Sequence, residues 1–235
     1  YDYHMSQVFF DEMGLAPPAY NLGVGSGPHG KQTGEMLARI EEVLIAEKPD
    51  VTLVYGDTNS TIAGAIASVK LGISLAHIEA GLRSFNRSMP EEHNRVLTDH
   101  CSDLLFCPTE TAVKNLAREG VTTGVYQVGD TMFDAVLQFS AVARQQSRIL
   151  KRLGVATQQY FLVTVHRASN TETSDILRRL LAVFEMLDVQ VVFPVHPRTR
   201  QSLHGTASIP SNVRLIDPVG YLDMLMLEEN ARAVL

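Results

Sequence analysis

The chain has 235 residues, between the usual lengths of one domain and two, and it is 45% hydrophobic and 20% charged. That balance excludes a disordered chain and leaves enough apolar side chains for a sizeable core. A formal net charge of −6 excludes a nucleic-acid or anionic-membrane surface built from bulk charge. It leaves room for local basic sites that meet a phosphorylated small molecule. Cys101 and Cys107 have no other metal-ligand residues in a recognisable spacing, so neither a zinc site nor a disulfide scaffold is expected, and a reducing cytosol suits them. No apolar run approaches the roughly 18 residues that span a bilayer, and no basic-then-apolar leader opens the chain.

In chain order, the sequence starts inside a helical pattern at Tyr1 and passes through a Gly-rich loop, Asn21–Gly30. The G-x-G-x-G spacing of that loop matches a dinucleotide fingerprint only loosely, and it reads either as a phosphate contact or as a surface loop. A helix is expected over Gln32–Glu47 and a strand over Val51–Tyr55, then a helix over Thr58–Leu71 and a strand over Ile73–His77. Helix Pro90–Asp99, strand Leu104–Cys107, helix Thr109–Glu119 and strand Val125–Val128 continue the alternation. One long helix over Thr131–Leu153 precedes strand Tyr160–Val165, helix Thr171–Leu187, strands Val189–Pro194 and Val213–Ile216, and a helix around Tyr221–Asn230. Gly72, Gly120 and Gly154 stand where helix C-caps belong.

This βαβα rhythm is the mark of α/β architecture, parallel sheets with helices on their faces. The domain boundary is expected in Gly154–Gln159, giving units 1–153 and 154–235. The last residues, Ala231 to Leu235, read as the opening of a strand with neither partner nor following helix. With no Met at the start, that suggests a fragment cut at both ends, its second unit incomplete.

Ligands of doubly wound sheets bind outside the carboxyl ends of the strands, so the strand exits carry the functional information. Asp57 follows Gly56 at the first exit and is either an N-cap or a site carboxylate. At the second exit, Glu79 stands beside the small residues Ala80 and Gly81, with Arg83 four positions on. Glu91 and Arg95 lie one turn apart at the start of the next helix, on one face, the geometry of an i,i+4 pair. In the second unit, two strands end in His166-Arg167 and in His196-Pro197-Arg198. A single His at a strand end is most simply a packed one. Two such ends, each with an Arg close behind, suit a diphosphate, because the planar guanidinium offers paired donors and His adds a tunable one.

Taken in order, the strings Tyr55-Gly56-Asp57-Thr58-Asn59-Ser60-Thr61, His77-Ile78-Glu79-Ala80-Gly81-Leu82-Arg83 and Pro90-Glu91-Glu92-His93-Asn94-Arg95 resemble the non-hydrolysing UDP-N-acetylglucosamine 2-epimerase family. Thr98-Asp99, Pro108-Thr109-Glu110, Val128-Gly129-Asp130, Val163-Thr164-Val165-His166-Arg167 and Pro194-Val195-His196-Pro197-Arg198 continue the resemblance over essentially the whole chain. It implies two Rossmann-like domains around a cleft, the GT-B-like fold, in a cytoplasmic homodimer. It also implies a first strand before this chain begins and an Asp-Ser-Gly-Gly-x-x-Glu nucleotide-binding segment after it stops. Carried over by motif, the catalytic set is Asp57, Glu79, Glu91 and His166, with Arg83, Arg95, Arg167, His196 and Arg198 on the substrate. The segment Ser84–Met89 is shorter and more basic than in the best-known members, and Val219 and Met224 replace Gln and Phe near the uracil.

The implied reaction is an isomerisation of UDP-GlcNAc and UDP-ManNAc by elimination and re-addition of UDP through a glycal, feeding cell-surface polysaccharide synthesis. It needs no metal and no nicotinamide or other cofactor; its partners are the UDP-sugar and UDP, with no nucleic acid and no membrane. The segment Arg83–Met89 also resembles relatives that act on UDP-2,3-diacetamido-2,3-dideoxyglucuronate, and Arg87 reads either as the cation that meets that sugar's carboxylate or as a solvated loop residue. A GT-B-type glycosyltransferase and a non-catalytic UDP-sugar-binding protein are the alternatives of other classes.

Overall fold

A computed structural model describes residues 7–165, 174–195, 200 and 209–235. The chain forms two compact units, one of residues Pro18–Asp134 and one of Ala135–Leu235 together with the segment before Pro18. In the first, helix α2 (His29–Glu47) leads into β1 (Val51–Tyr55), α3 (Asn59–Lys70), β2 (Ser74–Ile78), α4 (Pro90–Cys101), β3 (Leu104–Cys107), α5 (Glu110–Arg118) and β4 (Val125–Gln127). The sheet order is β1-β2-β3-β4, all parallel, so each connection is a helical crossover. Helix α3 lies close on this sheet because the residues it turns to it are small: Ala65 packs on Val54 and Leu75, and a Cβ on Gly64 would stand 3.2 Å from Val54. Thr58 caps α3 in a reciprocal box with Thr61, which leaves Asp57 free of capping duty.

The second unit contains α1 (Gln7–Met13), α6 (Thr131–Gln146, from Ala135 on), α7 (Ile149–Leu153), β5 (Tyr160–Leu162), α8 (Ser174–Glu185), β6 (Gln190–Pro194), β7 (Val213–Ile216), α9 (Tyr221–Asn230) and β8 (Ala233–Val234). Its sheet is parallel in the order β7-β6-β5-β8. Alternate residues of β6 feed two cores. Val191 and Phe193 pack with Leu177, Leu181 and Phe184 of α8, while Val192 packs with Ile149, Tyr160 and Leu227 on the other face. Each fully buried Leu or Phe contributes about 1.5–3 kcal/mol, so these two layers account for most of the unit's cohesion.

Three expectations are corrected. The terminal strand has a partner, because Ala233 and Val234 pair with Phe161 and Leu162 of β5. The single helix over 131–153 is broken after Gln146, where Ser147 turns inward to Asp223 at 2.5 Å and its hydroxyl accepts from the Ile149 amide at 3.2 Å. A division after Leu153 would part α6 from α9, yet Val136, Phe139 and Val142 of α6 pack on Leu222 and Leu225 of α9. The Gly-rich loop runs without a strand into α2, and a Cβ on Gly25, Gly27 or Gly30 would meet nothing within 4 Å. Among the described residues no helix is long and apolar enough to cross a membrane, and no group of three or more His, Cys, Asp or Glu side chains is placed to hold a metal.

Candidate active site

The parallel register Tyr55↔Ile78 aligns the exits of β1 and β2, so Asp57 and Glu79 leave the sheet side by side. Both turns are tight. Gly56 has φ 64°, a conformation open to glycine, and Glu79 has φ 72°, where a side chain costs about 1 kcal/mol or more. A Cβ on Gly56 would stand 3.4 Å from Glu79 Oε2, which fixes how near the second carboxylate comes to the first turn. A strained non-glycine residue at a strand exit is where a functional side chain is expected.

The two carboxylates occupy unlike surroundings. Burial pushes the Glu79 carboxyl above the ordinary glutamate value, and the neighbouring charges of Asp57 and Asp130 push it further; His77 and Arg95 oppose the rise without cancelling it. Asp57 Oδ2 accepts from the Arg95 guanidinium, and its backbone carbonyl accepts from Asn94 Nδ2 at 2.9 Å. Arg95 also donates to Glu92 at 3.1 Å. Glu92 in turn accepts from the Ser84 amide at 2.9 Å, the Ser84 hydroxyl at 2.8 Å and the Phe85 amide at 2.8 Å. Burial works against the Glu92 charge, but these donors and Arg95 outweigh it and hold the carboxyl below its usual range.

The helix pair expected between Glu91 and Arg95 does not form. Arg95 is drawn to Asp57 across the turn and to Glu92 one place nearer along the helix, and among the described residues the Glu91 side chain makes no hydrogen bond or ion pair. Glu91 sits in the first turn of α4, half-buried, with its carboxylate uncommitted. Arg83 is a second correction. It is not available to a substrate, because its side chain is 1% exposed and makes four N–H···O bonds, to Leu82 O, Asp99 Oδ2 and both oxygens of Glu119. A planar fork bonded bidentately to one carboxylate and singly to another is a buried structural tie. His166, Arg167, His196 and Arg198 lie outside the described residues.

His77, Glu92 and Asp99 are the parts of this site that sequence reasoning missed. His77 is fully buried, with Nδ1 2.7 Å from Asp99 Oδ1 and Nε2 2.8 Å from the Gly56 carbonyl. Glu92 reads in the sequence as a second acid favoured by the helix N-terminus, and only its contacts with Ser84 and Phe85 reveal its role. Cys107, the last residue of β3, lacks the thiolate a nucleophile needs: burial, with help from Asp99, pushes its thiol up to about 11.

The protein-family model of UDP-N-acetylglucosamine 2-epimerases matches residues 1–235. The chain belongs to the UDP-N-acetylglucosamine 2-epimerase family. Within this family, a UDP-N-acetylglucosamine 2-epimerase homolog of Methanococcus maripaludis is 52% identical over 241 residues, covering 100% of this chain and 68% of that protein. A UDP-2,3-diacetamido-2,3-dideoxy-D-glucuronate 2-epimerase of Pseudomonas aeruginosa is 45% identical over 100% of this chain and 66% of its own length. The crystal structure of the Methanocaldococcus jannaschii UDP-GlcNAc 2-epimerase in complex with UDP-GlcNAc and UDP superposes with a TM-score of 0.91 at 45% identity, over 100% of this chain and 67% of that one. The chain thus spans about two thirds of the length of these epimerases. Two parallel four-stranded sheets with flanking helices are the architecture expected of the family.

Proposed function

We propose that this chain is the greater part of an isomerase that interconverts UDP-GlcNAc and UDP-ManNAc. The observation that carries the reading is the pair of carboxylates at adjacent strand exits, one pushed toward its protonated form and the other ion-paired to arginine. Carboxylates whose environments differ in this way divide into an acid and a base. Asp57 takes the proton from C2 of the sugar on one face as the C1–O bond to UDP breaks, leaving a glycal and UDP. Glu79 returns a proton to C2 from the opposite face as UDP adds back to C1, and in the reverse direction the two exchange roles. Glu91, with no side-chain partner among the described residues, completes the wall, and Arg95 holds Asp57 in place. His166, Arg167, His196 and Arg198 supply the donors that stabilise the departing diphosphate, whose developing charge is the main obstacle to elimination. Metal and nicotinamide have no part in this scheme. A cytoplasmic homodimer supplying polysaccharide precursors is the setting that the family resemblance supports.

A second reading, UDP-2,3-diacetamido-2,3-dideoxyglucuronate as substrate, is favoured by one feature. Arg87 is exposed on a groove of about 590 Å³ at the start of α4, beside Ser88, His93 and Asn94, where a carboxylated sugar would find a cation. Incubation of the full-length enzyme in heavy water with each sugar nucleotide tests both. Deuterium at C2 of the epimerised product is expected with the true substrate. Product that retains its original C2 hydrogen would exclude elimination, irreversible consumption would indicate a transferase, and binding without turnover would indicate a sugar-nucleotide-binding protein.

A further inference from the structure

We propose that the buried Asp99–His77 pair positions the carboxylate site: through the Gly56 carbonyl and the Gly81 amide it fixes the two backbone turns that carry Asp57 and Glu79. The inference rests on the epimerase reading above only for its effect on turnover. Both are positioning residues, since neither side chain reaches the solvent side of the turns; each is buried, with 0% exposure.

The hydrogen-bond pattern leaves the His77 ring one orientation. The Gly56 carbonyl can only accept, so Nε2 carries a hydrogen and donates across 2.8 Å. The 2.7 Å approach of Nδ1 to Asp99 Oδ1 also requires a proton between them, because an unprotonated nitrogen and a carboxylate oxygen would repel. Rotation or flipping of the ring would sacrifice both bonds inside a dry core, where unmade bonds are expensive. The first turn is therefore held at the carbonyl immediately preceding Asp57.

The other oxygen of Asp99 grips the second turn. Oδ2 accepts from the Gly81 amide at 3.0 Å and from Arg83 Nη1 at 2.6 Å, while Asn115 donates to the Gly81 carbonyl at 3.0 Å. Gly81 has φ 78°, and a Cβ there would stand 2.4 Å from the Ala112 carbonyl, so this peptide has no slack toward α5. Glu79, two residues earlier and itself at φ 72°, inherits that constraint. Helix α4 thus reaches the site twice, through Arg95 to the Asp57 carboxylate and, one turn later, through Asp99 to both backbone turns. A buried ion pair is a weak source of net stability, because desolvation offsets the attraction. Orientation is what this geometry supplies.

The test compares His77→Leu with His77→Gln in the full-length enzyme, measuring C2 deuterium incorporation. A displacement near 1 Å at a reacting group costs on the order of 100-fold, so His77→Leu is expected to lose about that in kcat with KM unchanged. His77→Gln, whose amide can again donate to the Gly56 carbonyl, is expected to recover most of the loss. Wild-type kcat in His77→Leu, a loss confined to KM, or no advantage of Gln over Leu would each overturn the proposal. A substrate-free arm follows amide exchange at Gly81 in Asp99→Asn. Exchange should quicken on the order of tenfold as the charged acceptor is lost, and unchanged exchange overturns the clamp. If the wild-type enzyme moves no hydrogen at C2, the epimerase reading fails while the Gly81 exchange still judges the clamp.

Discussion

Glu79 should make the fold less stable than its uncharged replacements do. Two separable terms work against it: a backbone at φ 72° and a carboxyl that burial, Asp57 and Asp130 hold above its ordinary value. Glu79→Gln removes the charge and keeps the backbone strain, whereas Glu79→Gly removes both. The difference between the two variants therefore reports the left-handed conformation, worth about 1 kcal/mol, or roughly 4 °C in the melting temperature of a unit this size. The charge term has a definite pH signature. A carboxyl whose folded value is raised binds its proton more tightly in the native state, so no penalty exists below the unfolded value near 4.5. The penalty grows as pH rises through that value and is complete above the folded one. Urea unfolding of wild type and Glu79→Gln should accordingly show the variant more stable at neutral pH, with the advantage vanishing in acid. Epimerisation should be abolished in the same stabilised protein, the trade expected of a strained functional residue. A Glu79→Gln protein that is less stable at neutral pH, or whose gain is the same at every pH, would refute the reasoning.

Three other substitutions probe the same framework. Arg83→Met leaves Asp99 and Glu119 facing a neutral side chain; breaking a buried pair from one side costs about 3–5 kcal/mol, to be read from denaturant midpoints, whereas Lys114→Met at the exposed Glu110–Lys114 pair should change little. Arg95→Lys cannot span both Asp57 and Glu92 with one ammonium, so kcat/KM should fall on the order of tenfold or more with the melting temperature little altered. Gly81→Ala forces a Cβ to 2.4 Å from the Ala112 carbonyl at φ 78°, and chemical unfolding should show a loss of about 2 kcal/mol or more.

The sheets and the strand exits were readable because their signals are local. Apolar runs such as Leu104–Cys107 read as strands once amphipathic stretches separate them, and parallel strands present their carboxyl ends to ligands; Val51–Tyr55 forms its strand too, although Val51, Leu53 and Tyr55 stay exposed. Asp57 and Glu79 were found by that rule, Glu91 and Arg95 only through the family resemblance, and all four lie in one unit. What the sequence concealed is partner choice. The i,i+4 spacing of Glu91 and Arg95 favours a helix-surface pair worth about 0.5 kcal/mol at most, but folding brings Asp57 to the same guanidinium, and the partly buried site outcompetes the surface one. Arg83 is diverted in the same way, because Asp99 and Glu119 reach it from later elements and, with the Leu82 carbonyl, take four of its five N–H donors in a side chain that is 1% exposed. Both diversions have one physical cause. A guanidinium moving out of water gains most where carboxylates converge in a low-dielectric interior, and convergence of that kind is a property of the tertiary fold. Helix α4 shows the result. Its sequence reads as an ordinary amphipathic helix with acids in the first turn, yet Glu92, Arg95 and Asp99 bond different parts of the site from a single side. In the proposed reaction the strand exits supply the chemistry, and the helix that packs behind them supplies its precision.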